Sequence, residues 1–251
     1  MQPAIQIKSL SKSFGRKGEQ QVISNLDLEV SQGEFLTVVG ASGCGKSTLL
    51  NIIAGLDKPS SGELKVSGKV ALMFQDATLL PWLTAIQNIK LALRLQGVKE
   101  PRRTERAKEL LDLVRLGDAI HKRPHELSGG MKQRISLARC LAQDASIVLM
   151  DEPLGALDAM TRDLLHDEIE SLTKNQGLTV VFVTHNMREA VRLGDRVVLM
   201  GSHPGRIVYQ EIVDLPHPRT MDSPEIATRA ARLTKELRAA QSGGGLIGAD
   251  S

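Results

Sequence analysis

Aromatic residues are scarce: four Phe, one Trp and one Tyr, 2% of a 251-residue chain. Single-stranded nucleic acid is usually gripped by stacking bases on aromatic rings, so this shortage argues against nucleic acid as a partner. Charge imbalance is also small. Lys and Arg number 32 against 29 Asp and Glu, a formal +3, which is too little to attract a polyanion over distance. No run approaches the roughly twenty apolar residues of a membrane span. The N-terminal MQPAIQIKSL lacks the apolar core of a secretory signal. Any membrane association is therefore expected to be peripheral. Cys44 and Cys140 are the only cysteines and have no metal-like spacing. Two isolated thiols suit a reducing compartment.

Hydrophobic residues make up 41% and charged residues 24%, the balance of a globular protein with a sizeable core. The stretch Phe35–Asn51, FLTVVGASGCGKSTLLN, organises the rest. Phe35–Val39 reads as a buried strand, Gly40–Ser47 fits G-x-x-x-x-G-K-[ST], and Thr48–Gly55 opens a helix. A triphosphate needs many donors at close range. The loop Gly40, Ala41, Ser42, Gly43, Cys44, Gly45 offers backbone N–H groups with little side chain in the way. The helix that continues through Thr48 adds its positive N-terminal end. Lys46 suits the β- and γ-phosphates, and the Ser47 hydroxyl suits Mg²⁺.

Upstream, Ala4–Leu10 and Val22–Val30 alternate as antiparallel strands around a loop at Ser11–Gln21, in which Phe14 reads either as a ring that stacks on an adenine or as an ordinary core residue. Downstream, three apolar strands end in polar residues. Gln75 follows the strand Lys69–Phe74 and can reach a metal or a water. Ser146–Met150 ends in Asp151 and Glu152, where Asp151 suits Mg²⁺ and Glu152 suits a general base. Thr179–Thr184 ends in His185. In open α/β sheets, ligands gather beyond such strand ends. From about Pro81 to Leu127 there is no strand pattern, only helices at Thr84–Gln96 and Pro101–Leu116, after the apolar knot LLPWL at Leu79–Leu83. Ser128, Gly129 and Gly130 precede a helix at Met131–Gln143, which reads either as a capped helix or as a second phosphate site without a lysine. Arg162–Leu172 and Glu225–Ala240 read as further helices, and the GGG-containing end at 242–251 as a flexible tail.

In order and spacing, this set resembles the nucleotide-binding subunit of an ABC transporter. GASGCGKS matches Walker A, Gln75 the Q-loop, LSGGMKQR the signature, IVLMDE Walker B, Leu157–Asp158 the D-loop and His185 the H-loop. Phe14 stands where the family usually has an aromatic. LLPWLT, LGALDA, EAVRLGDRVVL and HPGRI further resemble the nitrate/sulfonate/taurine importer branch.

The resemblance implies an α/β fold: a P-loop NTPase (RecA-like) core with a mixed, mostly parallel sheet, an N-terminal antiparallel β subdomain and a helical insertion. One domain over 1–241 is expected, with the insertion at about 81–135. The resemblance also implies ATP with Mg²⁺, held by Ser47, Gln75 and Asp151, with Glu152, His185 and Gln75 catalytic. Ser128–Gly130 and Asp158 would serve a head-to-tail homodimer. Implied partners are membrane permease subunits and, indirectly, an extracytoplasmic solute-binding protein, with the chain peripheral on the cytoplasmic face of the inner membrane. A soluble ABC ATPase of repair or translation is the competing reading, disfavoured by the single cassette and the short insertion.

Overall fold

The computed structural model describes residues 2–15, 19–155, 157–202 and 204–243. In chain order its elements are β1 (Ile5–Phe14), β2 (Gln20–Val30), β3 (Phe35–Gly40), α1 (Lys46–Ile53), β4 (Ser61–Val66), β5 (Val70–Met73), α2 (Ala85–Leu95) and α3 (Arg102–Leu113). Then follow α4 (Gly129–Leu141), β6 (Ile147–Asp151), α5 (Ala159–Gln176), β7 (Thr179–Thr184), α6 (Met187–Leu193), β8 (Arg196–Gly201), β9 (Arg206–Ile212) and α7 (Pro224–Gly243). The chain divides into two compact units, residues 1–67 with 179–251, and residues 68–178.

In the first unit β1 pairs antiparallel with β2 on one side and β4 on the other. A second set of strands runs in the order β7-β3-β8-β9, with β3 parallel to both β7 and β8 and β9 antiparallel to β8. All six residues of β3 are buried. A strand covered on both faces needs an unbroken apolar run rather than alternation, and FLTVV supplies one. Its one polar side chain, Thr37, donates to the carbonyls of Ala190 and Arg196, both at 3.2 Å. Val39, Val191, Val197 and Leu199 pack with Ile226 and Leu233 of α7 in one apolar cluster.

In the second unit β5 and β6 form a parallel pair. Its helices α2, α3 and α4 bury Ile89, Leu110, Leu111 and Ile135 completely or nearly so. Thr84 caps α2 in a reciprocal box with Gln87, which stops the helix just behind the LLPWL knot.

Several elements differ from their sequence reading. β1 runs four residues past Leu10, through Lys12 to Phe14, so the loop is shorter than Ser11–Gln21. Ser9 has a left-handed φ of 48°, and bulges interrupt the register between Ile7 and Lys12. A bulge breaks the period-2 pattern by which strands are recognised. Gly129 and Gly130 lie inside the first turn of α4 rather than before it, because Ser128 is its N-cap and accepts from the Met131 N–H at 3.2 Å. Likewise α5 starts at Ala159, not Arg162, because Asp158 caps it through the Thr161 N–H at 2.9 Å. α7 extends to Gly243, and the rest of the expected tail, 244–251, lies outside the described residues.

Candidate active site

In the first unit the phosphate loop hangs between β3 and α1. Gly40 has an ordinary φ and is small for packing reasons: a Cβ there would stand 2.6 Å from the Met200 carbonyl oxygen and 2.7 Å from Cys44 Sγ. Gly45 is the N-cap of α1 at φ 97°, a conformation L side chains resist. Lys46 opens the helix, and its ammonium turns back to donate to the carbonyls of Gly40 at 2.8 Å and Ala41 at 3.0 Å. That fixes a buried positive charge at the loop's rim. Cys44 is fully buried with its thiol pKa raised by desolvation, against the pull of Lys46; it is a small filler of the loop. Ser42, Gly43 and Ser47 are exposed, and Thr48 is half-buried.

His185 belongs to the same end of the same sheet. Val39 pairs in register with Thr184, so Gly40 and His185 leave adjacent strands together. The imidazole is exposed, at the edge of an open hollow of about 530 Å³ that is also lined by Arg188 and Ala230. Its backbone is held from both sides. Asn186 caps α6 through the N–H groups of Arg188 and Glu189, and the buried Thr184 hydroxyl donates to the buried Glu189 carboxylate. Thr184, Asn186 and Glu189 gave no sequence signal beyond an N-cap residue ahead of an apolar helix.

Phe14 ends β1 and is 41% exposed, so it is accessible to a planar group from solvent.

The second unit repeats the arrangement. Met73 of β5 pairs with Met150 of β6, so Gln75 and the pair Asp151–Glu152 emerge from the same end of adjacent parallel strands. Asp151 is only 8% exposed. Glu152 has φ 44°. A left-handed non-glycine residue costs about 1–2 kcal/mol, and such strain collects at functional sites. Gln75 is exposed, and its backbone carbonyl accepts from Gln133 Nε2 at 3.0 Å. Arg139 donates to the carbonyls of Ala77 at 2.9 Å and Thr78 at 2.8 Å. The helix that begins at Ser128 thus grips the loop after Gln75 at two points, through Gln133 and Arg139, which the sequence reading missed. Ser128, Gly129 and Asp158 are exposed, and Gly130 is half-buried. The Asp158 carboxyl lies below the usual carboxylate range because it accepts from the Thr161 N–H.

Trp82, in the LLPWL knot, is 67% exposed and does not pack into the core. Buried Asn88 explains the exposure. Its side chain accepts from the Leu80 N–H at 2.9 Å and donates to the carbonyls of Leu80, Leu83 and Thr84. The knot is stapled from below, and the indole faces out.

The "ABC transporter" family model matches residues 23–155. The chain belongs to the ABC transporter family. It is 41% identical, over 93% of its length and 94% of that protein, to the aliphatic sulfonates import ATP-binding protein SsuB of Bacillus licheniformis. It is also 41% identical, over 87% of its length and 88% of the other, to the nitrate transport protein NasD of Klebsiella oxytoca. A solved dimeric ATP-binding cassette, MJ0796, in a post-hydrolysis state with ADP and Pi, superposes with a TM-score of 0.78 at 32% identity, covering 84% of this chain and all of that one. The ABC cassette is therefore a P-loop NTPase with a mixed, mostly parallel sheet, an added antiparallel sheet and helices. The chain is an ABC transporter ATP-binding subunit of the ATP-hydrolysing kind.

Proposed function

We propose that residues 1–241 form one cassette, with 81–135 as its helical insertion, that drives an importer of nitrate, a sulfonate, taurine or a similar small anion. Two copies would pair head to tail. Ser128–Gly130 of one copy would complete the nucleotide site on the phosphate loop of the other, with Asp158 beside it. The observation that carries the pairing is the state of the signature turn. It is capped, exposed at Ser128 and Gly129 and without a lysine, and a Cβ on Gly129 would meet nothing within 4 Å. The chain's own packing therefore does not demand glycine there, whereas close approach of a phosphate from outside does.

Within one site, the loop's N–H groups and Lys46 bind the phosphates, and Phe14 stacks on the adenine. Among the described residues no cluster of three His, Cys, Asp or Glu side chains is arranged to hold a metal. Mg²⁺ arriving with a triphosphate needs only one or two protein oxygens, and Ser47, Asp151 and Gln75 supply hard oxygen donors of the right kind. When bound, Mg²⁺ neutralises charge on the β- and γ-phosphates. Glu152 takes the proton of the attacking water, which is the task of a general base. His185 donates to the γ-phosphate and holds the group in line, a positioning role. Closure of the pair and its reopening after hydrolysis then drive the permease.

Among the described residues no helix is long and apolar enough to cross a membrane; the pore would be supplied by separate permease subunits at the inner membrane. Phe74 and Trp82, 41% and 67% exposed on either side of the Gln75 loop, supply the apolar surface for a permease helix. The chain would sit on the cytoplasmic face, and a solute-binding protein would act from the other side. Transport into proteoliposomes holding this chain and a permease of the nitrate, sulfonate or taurine importer kind tests the reading. ATP-dependent uptake of one of these anions supports it. Full ATPase activity with no permease retained on purification would instead mark a soluble ABC ATPase.

A further inference from the structure

Lys12 is 9% exposed, on the central strand of the antiparallel sheet and two residues before Phe14. A buried ammonium is costly unless it is partnered. Its Nζ donates to Asp57 Oδ1 at 2.6 Å and to the Lys58 carbonyl at 2.9 Å, and lies 4.6 Å from the centroid of the Phe14 ring. An ammonium has three donors, and two oxygens and one π face account for them. Lys12 is thus not available as a phosphate ligand. The Asp57 carboxyl is held below the usual carboxylate range, chiefly by its hydrogen bond from Lys12.

Asp57 lies in the turn after α1. The N–H groups of Leu56 and Asp57 bond back to the Asn51 carbonyl at 2.9 and 3.2 Å. The same turn is tied to β1 through Ser60, whose N–H donates to the Ser11 carbonyl at 2.8 Å and whose hydroxyl accepts from the Ser13 N–H at 3.0 Å. The helix that starts at the phosphate-loop lysine therefore carries, at its other end, the carboxylate that locks a cation against Phe14.

We propose that Lys12, locked by Asp57, is a positioning residue for the nucleotide base, and that α1 sets the spacing between base and phosphates. The inference rests on the reading of Phe14 as the adenine-stacking ring. The cation holds one face of the ring and draws its π density. The opposite face is left to stack, and it is the more electron-poor one, which suits a purine.

The test is calorimetric binding, with Mg²⁺ present, of ATP and of inorganic tripolyphosphate, which has the phosphates and no base. Lys12→Met keeps the aliphatic stem and loses the charge. It should weaken ATP binding by about threefold to tenfold, the range of a partly desolvated cation–π contact, and leave tripolyphosphate binding unchanged. Lys12→Arg should restore ATP affinity, and Lys12→Met should add nothing in a Phe14→Ala background. If Lys12→Met does not fold, Asp57→Asn carries the test, since it loosens the lysine without removing it. Phe14→Ala with undiminished preference for ATP over tripolyphosphate would overturn the reading of Phe14. A loss in Phe14→Ala with none in either Lys12→Met or Asp57→Asn would overturn the inference alone. Equal loss for both ligands would make Lys12 merely structural and overturn it as well.

Discussion

Gly205 sits in the turn between β8 and β9, 161 residues after Cys44, and touches the phosphate loop from behind. Its N–H donates to the Val22 carbonyl at 2.8 Å, and its carbonyl accepts from the Ser24 N–H at 3.0 Å. A Cβ at this position would stand 2.1 Å from the Cys44 carbonyl oxygen and 2.9 Å from that of Val22. Carbon and carbonyl oxygen rest at roughly 3.3–3.6 Å, so Gly205→Ala must push the loop or the turn back by about 1 Å or more. Both clashing groups are backbone, and no rotamer relieves them. Overpacking of this kind costs about 1–3 kcal/mol, or roughly 2–6 °C in melting temperature for a chain of this length. Because the nearest clash is with the phosphate loop itself, at the Cys44 carbonyl, ATP affinity should fall by at least about tenfold, more than instability alone explains. Gly33→Ala is the control. Gly33 has φ +76° with nothing within 4 Å of its Cβ position, so alanine there costs about 1–2 kcal/mol of left-handed strain away from the loop. Thermal melts and ATP titrations of both variants decide the matter. Wild-type ATP affinity in Gly205→Ala, or an equal loss in Gly33→Ala, would refute the reasoning.

Lys46→Ala removes the charge fixed by the Gly40 and Ala41 carbonyls and should abolish most ATP binding and turnover, measured by titration and phosphate release. Trp82→Ala removes an exposed ring, so the melting temperature should move by less than about 1 °C while transport with the permease falls; equal loss of free ATPase activity would count against a docking role. Arg219, 5% exposed, donates to the carbonyls of Val191, Gly194, Val213 and Leu215 at 2.7–3.0 Å. Arg219→Met strips those buried acceptors and should cost about 3 kcal/mol or more in urea unfolding; a change below about 1 kcal/mol would show that the carbonyls find other donors.

The phosphate loop was legible because its chemistry is local: strand, glycines, lysine and helix are consecutive. Gln75, Asp151, Glu152 and His185 stand out in the sequence because polar residues at the ends of apolar strands are expensive unless used, and the fold does set them at strand ends. What escaped was set by contacts across long stretches of chain. Lys12 looks like a surface lysine until it meets Asp57, 45 residues on. Gly205 looks like a turn glycine until the Cys44 carbonyl is found beside it. Gln133 and Arg139 read as polar positions of an amphipathic helix, and only the fold turns them onto the Gln75 loop. α4 starts two residues before the Met131 of the sequence reading, because the Ser128 cap holds Gly129 and Gly130 in its first turn.

The pairing of two copies around ATP is tested most directly by sedimentation of Glu152→Gln, which should bind ATP and hold it unhydrolysed. With Mg-ATP the variant should shift from monomer to dimer. The shift should vanish without nucleotide and in a Ser128→Arg, Glu152→Gln double variant that still binds ATP. A Glu152→Gln protein that binds ATP yet stays monomeric at high concentration would contradict the account.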